Sequence, residues 1–231
     1  MKNAIILCSG GLDSVVTSYY VKNKLKYNNI KILFFNYGQR TLKQERKYSR
    51  LCAKNINAEF KEINLEYLKN ISSSLLNKNI KLNKIKNLKD TKKESDKFYV
   101  PGRNTAFLIY TISLLEALNK NYNIFTGFKS EGRESYPDTT KEYVNVMNKL
   151  IKVSTNLKTK IIAPLINKDK DEIILIGKKL GVNFANTYSC YAGNKEHCGY
   201  CLACKLRQAA FYWANVNDPT SYNNKNFNKS F

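Results

Sequence analysis

A chain of 231 residues, 43% of them hydrophobic, is long enough for one α/β domain with a small appendage. No apolar run approaches the roughly 20 residues that cross a bilayer. Residues 4–8 are a short apolar run followed at once by a Gly-rich turn rather than by a leader cleavage site, so a soluble, cytoplasmic protein is expected. The formal charge of +21 would suit a nucleic-acid surface, but the lysines are scattered through loops and tail among many asparagines, which points to residue-usage bias and weighs against nucleic acid as a partner.

Residues 4–8 are expected to form a buried strand, too short and too apolar for a surface helix. The turn at 9–14, Ser-Gly-Gly-Leu-Asp-Ser, opens a helix to about residue 24, with Val15, Val16, Tyr19 and Tyr20 on one face. Residues 31–36 make a second buried strand, Tyr37-Gly38-Gln39-Arg40 its exit loop, 41–55 a helix, and 59–65 an alternating strand. That order implies right-handed crossovers and a parallel sheet, with ligands at the carboxyl ends of the strands. The turn at 9–14 and the loop at 37–40 both fall there. The Lys- and Asn-rich stretch 77–97 reads as a mobile insert over the site. Val100-Pro101-Gly102-Arg103-Asn104 leads into a helix at 105–118, with Phe107, Leu108, Ile112 and Leu115 as core positions. A strand at 124–127 and a polar loop ending in Tyr136-Pro137-Asp138 precede a helix to about 153. A last strand is expected at 160–166, then a helix opened by an Asp169/Glu172 capping box and ending near Gly181. The expected division is a nucleotide domain at 1–186, a four-cysteine segment with its helix at 187–216, and a polar tail at 217–231 that frays.

The turn at 9–14 carries the first chemical signal. Gly10 and Gly11 allow a tight backbone turn whose amides face inward, and the helix that follows adds the positive end of its dipole. Ser9 and Ser14 add hydroxyl donors, and Asp13 makes sense beside phosphate as a Mg²⁺ ligand or as an orienter of the loop. With Leu7 and Cys8 at the end of the strand, the stretch through Ser9, Gly10, Gly11, Leu12, Asp13 and Ser14 is the expected ATP-binding element. It lacks the Gly-Lys-Ser/Thr ending of a Walker loop.

The second signal is Cys190, Cys198, Cys201 and Cys204, four thiolates at a spacing that suits a closed tetrahedral Zn²⁺ site with a structural role. An iron–sulfur cluster is the rival reading. His197, the one histidine, reads as a neighbour of a ligand, and Cys8 and Cys52 read as small buried apolar side chains.

Taken together, these motifs resemble the QueC family of 7-cyano-7-deazaguanine (preQ0) synthases, within the PP-loop ATP-pyrophosphatases. The matching pieces are Ser-Gly-Gly-Leu-Asp-Ser at 9–14, Tyr37-Gly38-Gln39-Arg40, Val100-Pro101-Gly102-Arg103-Asn104 with Phe107-Leu108, Tyr136-Pro137-Asp138, Pro164-Leu165 with Lys170, the stretch 187–191, and 198–204 with Leu206-Arg207. The resemblance implies an α/β, Rossmann-like fold of the adenine nucleotide alpha hydrolase type. It has a parallel sheet with helices on both faces and a C-terminal zinc segment held by four cysteines. It also implies a homodimer that turns 7-carboxy-7-deazaguanine, ammonia and ATP into the nitrile through adenylated intermediates. Ser9, Asp13, Ser14, Arg40, Arg103 and Lys170 become the expected catalytic groups. Tyr37, Gln39, Arg103, Asn104, Tyr136 and Asp138 become the expected substrate contacts, with Asp138 also a candidate cap for the following helix. One stretch departs from the family: Gly132-Arg133-Glu134-Ser135 stands where Asp-x-Ser-Gly is usual, and Thr139-Thr140 where Cys-Arg is usual. Glu131 or Glu134 then replaces the missing aspartate, or the substrate differs. A tRNA-modifying PP-loop enzyme would suit the charge but has no evident RNA-binding extension here. A non-catalytic zinc ribbon would leave the turn at 9–14 unexplained.

Overall fold

Five short strands pair into one parallel sheet, β1 (Asn3–Leu7), β2 (Asn29–Asn36), β3 (Glu59–Asn64), β4 (Asn123–Thr126) and β5 (Ile161–Ile162), in the order β3-β2-β1-β4-β5. The computed structural model describes residues 2–70, 82–85, 88, 91–129 and 136–224. In β1, Ala4 and Ile6 face one side and Ile5 the other, and all three are buried, as expected of a parallel strand covered on both faces.

The first face packs on α1 (Leu12–Tyr19), α6 (Lys170–Lys179) and α7 (Leu202–Trp213) through Val16, Ile173, Ile174 and Phe211, and takes in Cys52 of α2 (Leu42–Asn55). The second face packs on α4 (Arg103–Ala117) and α5 (Lys141–Ser154) through Leu108, Ile112, Leu115, Met147 and Ile151. Each such fully buried aliphatic side chain contributes about 1.5–3 kcal/mol. A short helix, α3 (Lys92–Asp96), lies in the chain before α4. The sheet order reverses at β1, between β2 and β4, and the crevice at the carboxyl ends there is where such sheets take ligands.

Several local expectations change in detail. The helix after 9–14 closes in a π-helical turn over Tyr20–Lys24. The strand expected at 160–166 is only two residues long. Pro164 has no N–H to offer a ladder, the chain turns with Ile166 N bonded to Ala163 O, and Asn148 of α5 takes both the N–H and the carbonyl of Ile161 at 2.8 and 2.9 Å. Asp138 does not cap α5: Thr140 does, its Oγ1 accepting from Tyr143 N at 3.1 Å. The capping box of Asp169 and Glu172 forms as expected.

The tail expected to fray from 217 is tied down as far as Asn224. Arg207, 1% exposed, donates to Thr187 Oγ1 at 2.7 Å, Phe184 O at 3.0 Å and Asp218 Oδ1 at 3.4 Å. Tyr222 then bonds Asp218 Oδ2 at 2.6 Å, and Asn223 N bonds His197 O at 2.9 Å. Residues 77–81, 86–87 and 89–90 of the expected insert, and Glu131 and Glu134 with their loop, lie outside the described residues.

Candidate active site

The turn between β1 and α1 is seated on α2. Gly10 has φ +76, and a Cβ there would lie 2.7 Å from Ser49 N, 2.8 Å from Tyr48 Cβ and 2.9 Å from Glu45 O. Ser49 Oγ holds the Cys8 carbonyl at 2.8 Å, and Tyr188 N donates to the Gly10 carbonyl at 2.9 Å. Ser14 Oγ donates to Gly11 O at 3.1 Å and lies 3.4 Å from Ser9 Oγ, so both hydroxyls gather at the start of α1. Gly127, at the end of β4, closes on the same point: a Cβ there would sit 2.9 Å from Ser14 N. The result is a backbone cradle with a helix N-terminus behind it, the geometry that binds phosphate.

Beneath the cradle, Cys8 and Cys52 are both buried. Hydrogen bonding, first from Cys52 and then from Ser14, outweighs burial and brings the Cys8 thiol down to about 6, while the Cys52 thiol is pushed up. Asp13 places Oδ2 3.5 Å from Lys170 Nζ and leaves Oδ1 buried without a hydrogen-bond partner. A carboxylate oxygen orphaned beside a phosphate cradle fits a hard cation such as Mg²⁺.

A cavity of about 360 Å³ runs from the cradle to α4. Of the residues expected from sequence, its wall brings together Leu7, Cys8, Ser9, Gly11, Leu12, Asp13, Ser14, Tyr37, Arg103, Asn104, Tyr136 and Lys170. Arg103 opens α4 after Gly102, whose φ is +66. Its guanidinium is held by Asn104 Oδ1 at 3.2 and 3.3 Å and by Tyr37 OH at 3.4 Å, over the faces of the Tyr37 and Phe107 rings. Burial opposes this charge, but Tyr37, Asp138 and Glu45 more than restore it, and burial in turn pushes the Tyr37 phenol up to about 12. A fixed, partly desolvated guanidinium of this kind is a fork for a carboxylate or phosphate.

Gly10, Gln39, Arg40 and Asp138 do not line the cavity. The Gln39 amide is taken up by the loop itself: its Oε1 accepts from Tyr37 N, and its Nε2 donates to Phe35 O and Glu45 Oε2, each at 3.0 Å. Asp138 is buried with Oδ1 unpartnered, and burial raises its carboxyl against the pull of Arg103. It supports the wall from behind, its carbonyl 3.5 Å from Asn104 Nδ2.

The four cysteines come together, all buried, with their sulfurs within 4.8 Å of one another. A tetrahedron with arms of about 2.3 Å has edges of about 3.8 Å. Cys198 Sγ lies 3.9 Å from Cys204 Sγ, and Cys201 Sγ 4.0 Å from Cys190 Sγ. Backbone N–H groups of Ala192 and Cys198 point at Cys190 Sγ at 3.3 Å, and that of Cys201 at Cys198 Sγ at 3.4 Å, as suits thiolates. The four sulfurs could therefore hold one metal ion with no open position. His197 is not among them. Its Nε2 accepts from Ser189 N at 3.0 Å, and burial lowers the imidazole to about 4.

The family model described as queuosine biosynthesis protein QueC matches residues 3–215. The chain belongs to the QueC family. The 7-cyano-7-deazaguanine synthase of Methanothermobacter thermautotrophicus is 33% identical over 222 residues, covering 95% of this chain and 98% of the relative. Those of Methanosphaera stadtmanae and Rickettsia bellii are each 36% identical over 225 residues, covering 95 and 96% of this chain and 97 and 99% of theirs.

In this QueC-family chain the cavity also takes in Glu45, Ser95, Phe98 and Lys129, which the motifs did not single out, together with Thr139 and, from the matched stretch 187–191, the wall of Tyr188, Ser189 and Tyr191. Glu45 falls one helical turn after Thr41, a spacing that could have flagged it. Lys129 follows directly on Gly127-Phe128 at the end of β4, where this fold places ligand contacts. Among the described residues no helix is long and apolar enough to cross a membrane.

Proposed function

We propose that this chain converts 7-carboxy-7-deazaguanine, ammonia and ATP into 7-cyano-7-deazaguanine, AMP and pyrophosphate. The observation that carries the proposal is a single cavity joining the phosphate cradle at 9–14 to the Arg103 fork, in a chain matched by the QueC model from 3 to 215. The cradle and the α1 N-terminus take the ATP phosphates, with Asp13 holding Mg²⁺, which neutralises phosphate charge when bound. Arg103, set by Asn104 and Tyr37, aims the substrate carboxylate at the α-phosphate. Lys170 lies beside Asp13 to meet the charge that develops there. The carboxylate attacks, pyrophosphate leaves, and ammonia displaces AMP to give the amide. A second adenylation on the amide oxygen lets AMP leave as the nitrile forms. Ser9 and Ser14 complete the grip, Tyr136 borders the base-binding side, and Gln39, Arg40 and Asp138 act as supports of that wall.

In the same reading the four cysteines hold Zn²⁺ as a structural ion, and the protein works in the cytoplasm as a homodimer. Mass analysis after incubation with the carboxylate, ammonia and Mg-ATP tests the activity: amide and then nitrile should appear with AMP. ATP turnover on a tRNA base, with neither product formed, would replace this function by base modification.

A further inference from the structure

The carboxylate-to-nitrile reading, on which this inference rests, needs a nitrogen source that at neutral pH arrives as ammonium. A protonated nitrogen has no lone pair with which to attack. The site must therefore capture a small cation and remove a proton beside the activated carboxyl. The other charged groups lining the cavity are Arg103, Lys129 and Lys170, which repel ammonium, and Asp13 at the phosphate cradle, which lies beside Lys170 and is given to Mg²⁺ in the proposed function.

Glu45 is the exception on the side of the cavity facing Arg103. It lies in the first turn of α2 and lines the cavity together with Tyr37 and Arg103. Its Oε1 accepts from Thr41 Oγ1 at 2.6 Å and its Oε2 from Gln39 Nε2 at 3.0 Å. An ionised carboxylate offers about four acceptor positions, so each oxygen retains one. We propose that Glu45 captures the ammonium ion and removes its proton, serving as the general base for nitrogen entry.

The charged and titratable groups facing it are Arg103 from α4 and Tyr37 from the end of β2. Burial raises the Glu45 carboxyl above the ordinary range, against the hydrogen bonds of Thr41 and Gln39 and the charge of Arg103, which suits a base working nearer neutrality. In the step, one N–H bond of ammonium breaks and its proton passes to a Glu45 oxygen. The freed lone pair forms the C–N bond, and the C–O bond to AMP breaks with its electron pair on the AMP phosphate. The nitrogen sheds a second proton to water, and Glu45 releases its own to solvent once product has left. No oxidant or reductant is involved.

The same two hydrogen bonds would also let Glu45 do no more than hold the 37–41 loop, and hydroxylamine separates the two roles. It is largely uncharged at neutral pH and needs no base to expose its lone pair. In Glu45→Gln, carboxylate-dependent pyrophosphate exchange and hydroxamate formation should stay within about threefold of wild type. The ammonia-dependent kcat/KM should fall by about 10²–10⁴. An equal fall in all three reactions, or no fall with ammonia, overturns the proposal. Wild type gives an independent test without any variant. Between about pH 6 and 8 its rate at fixed total ammonium should rise less steeply than the free-ammonia fraction, because the site deprotonates the cation itself. A rise in proportion to free ammonia overturns it. A wild type silent in pyrophosphate exchange with the carboxylate would instead remove the parent function, and the two failures are thereby told apart.

Discussion

Replacing Gly10 with alanine should damage both the fold and the nucleotide site, by separable amounts. The φ of +76 costs an L-residue about 1–2 kcal/mol. The new Cβ would also meet Ser49 N at 2.7 Å, Tyr48 Cβ at 2.8 Å and Glu45 O at 2.9 Å. Two of these are backbone atoms of α2 and the third is fixed to it, so none can swing away. Overpacking of that kind adds about 1–3 kcal/mol. The sum, about 2–5 kcal/mol, corresponds to a melting temperature lower by about 4–20 °C for a chain of this size. Gly181→Ala is the matched control, because Gly181 has φ +77 with nothing within 4 Å of the new Cβ. It should lose only about 1–2 kcal/mol, or about 2–8 °C, and keep its ATP affinity. Differential scanning calorimetry and titration with a fluorescent ATP analogue give the two readouts. Equal melting shifts in the two variants, with ATP binding intact in Gly10→Ala, would refute the seating of the phosphate turn on α2.

Two further outcomes are expected. Purified protein should be colourless with about one zinc per chain by elemental analysis, and Cys201→Ser should lose both the metal and thermal stability; a brown protein absorbing near about 400 nm would assign the sulfurs to an iron–sulfur cluster instead. Burial places the Asp138 carboxyl above its ordinary value. A carboxyl with a raised folded pKa binds its proton more tightly in the folded state, so its contribution falls as pH rises from the unfolded value through the folded one, then levels off. Asp138→Asn has no such proton. The melting-temperature difference should move in the variant's favour across that acidic window and stay constant above it, and a slope of opposite sign in paired melts would show that Arg103 outweighs burial.

The parts legible in the sequence were those whose cause is local. β1, β2 and the turn at 9–14 announced themselves as apolar runs ended by glycine and serine, and α6 by Asp169 and Glu172. What escaped depends on partners distant in sequence. Asn148 looks like an exposed helix residue until it occupies both backbone groups of Ile161 at the outer edge of β5. Asp218 looks like a tail residue until the buried guanidinium of Arg207 meets it. Gln39 lies in a motif, but only the fold shows its amide turned back on Tyr37 N and Phe35 O. Glu45 is the one acid of α2, and its spacing from Thr41 is a local sign that the loop holds it, but only the fold shows that it faces the cavity.

The hydrogen bond from Tyr188 N to the Gly10 carbonyl joins the first loop of the chain to its last third. During synthesis, the phosphate turn emerges from the ribosome long before the segment that completes it, and Cys198, Cys201 and Cys204 follow that segment. A nascent or truncated chain can form β1, β2 and α1 by local and near-local contacts, yet it lacks one wall of its nucleotide site. The wall that Tyr188, Ser189 and Tyr191 give the cavity is therefore added only after the last third of the chain has been made.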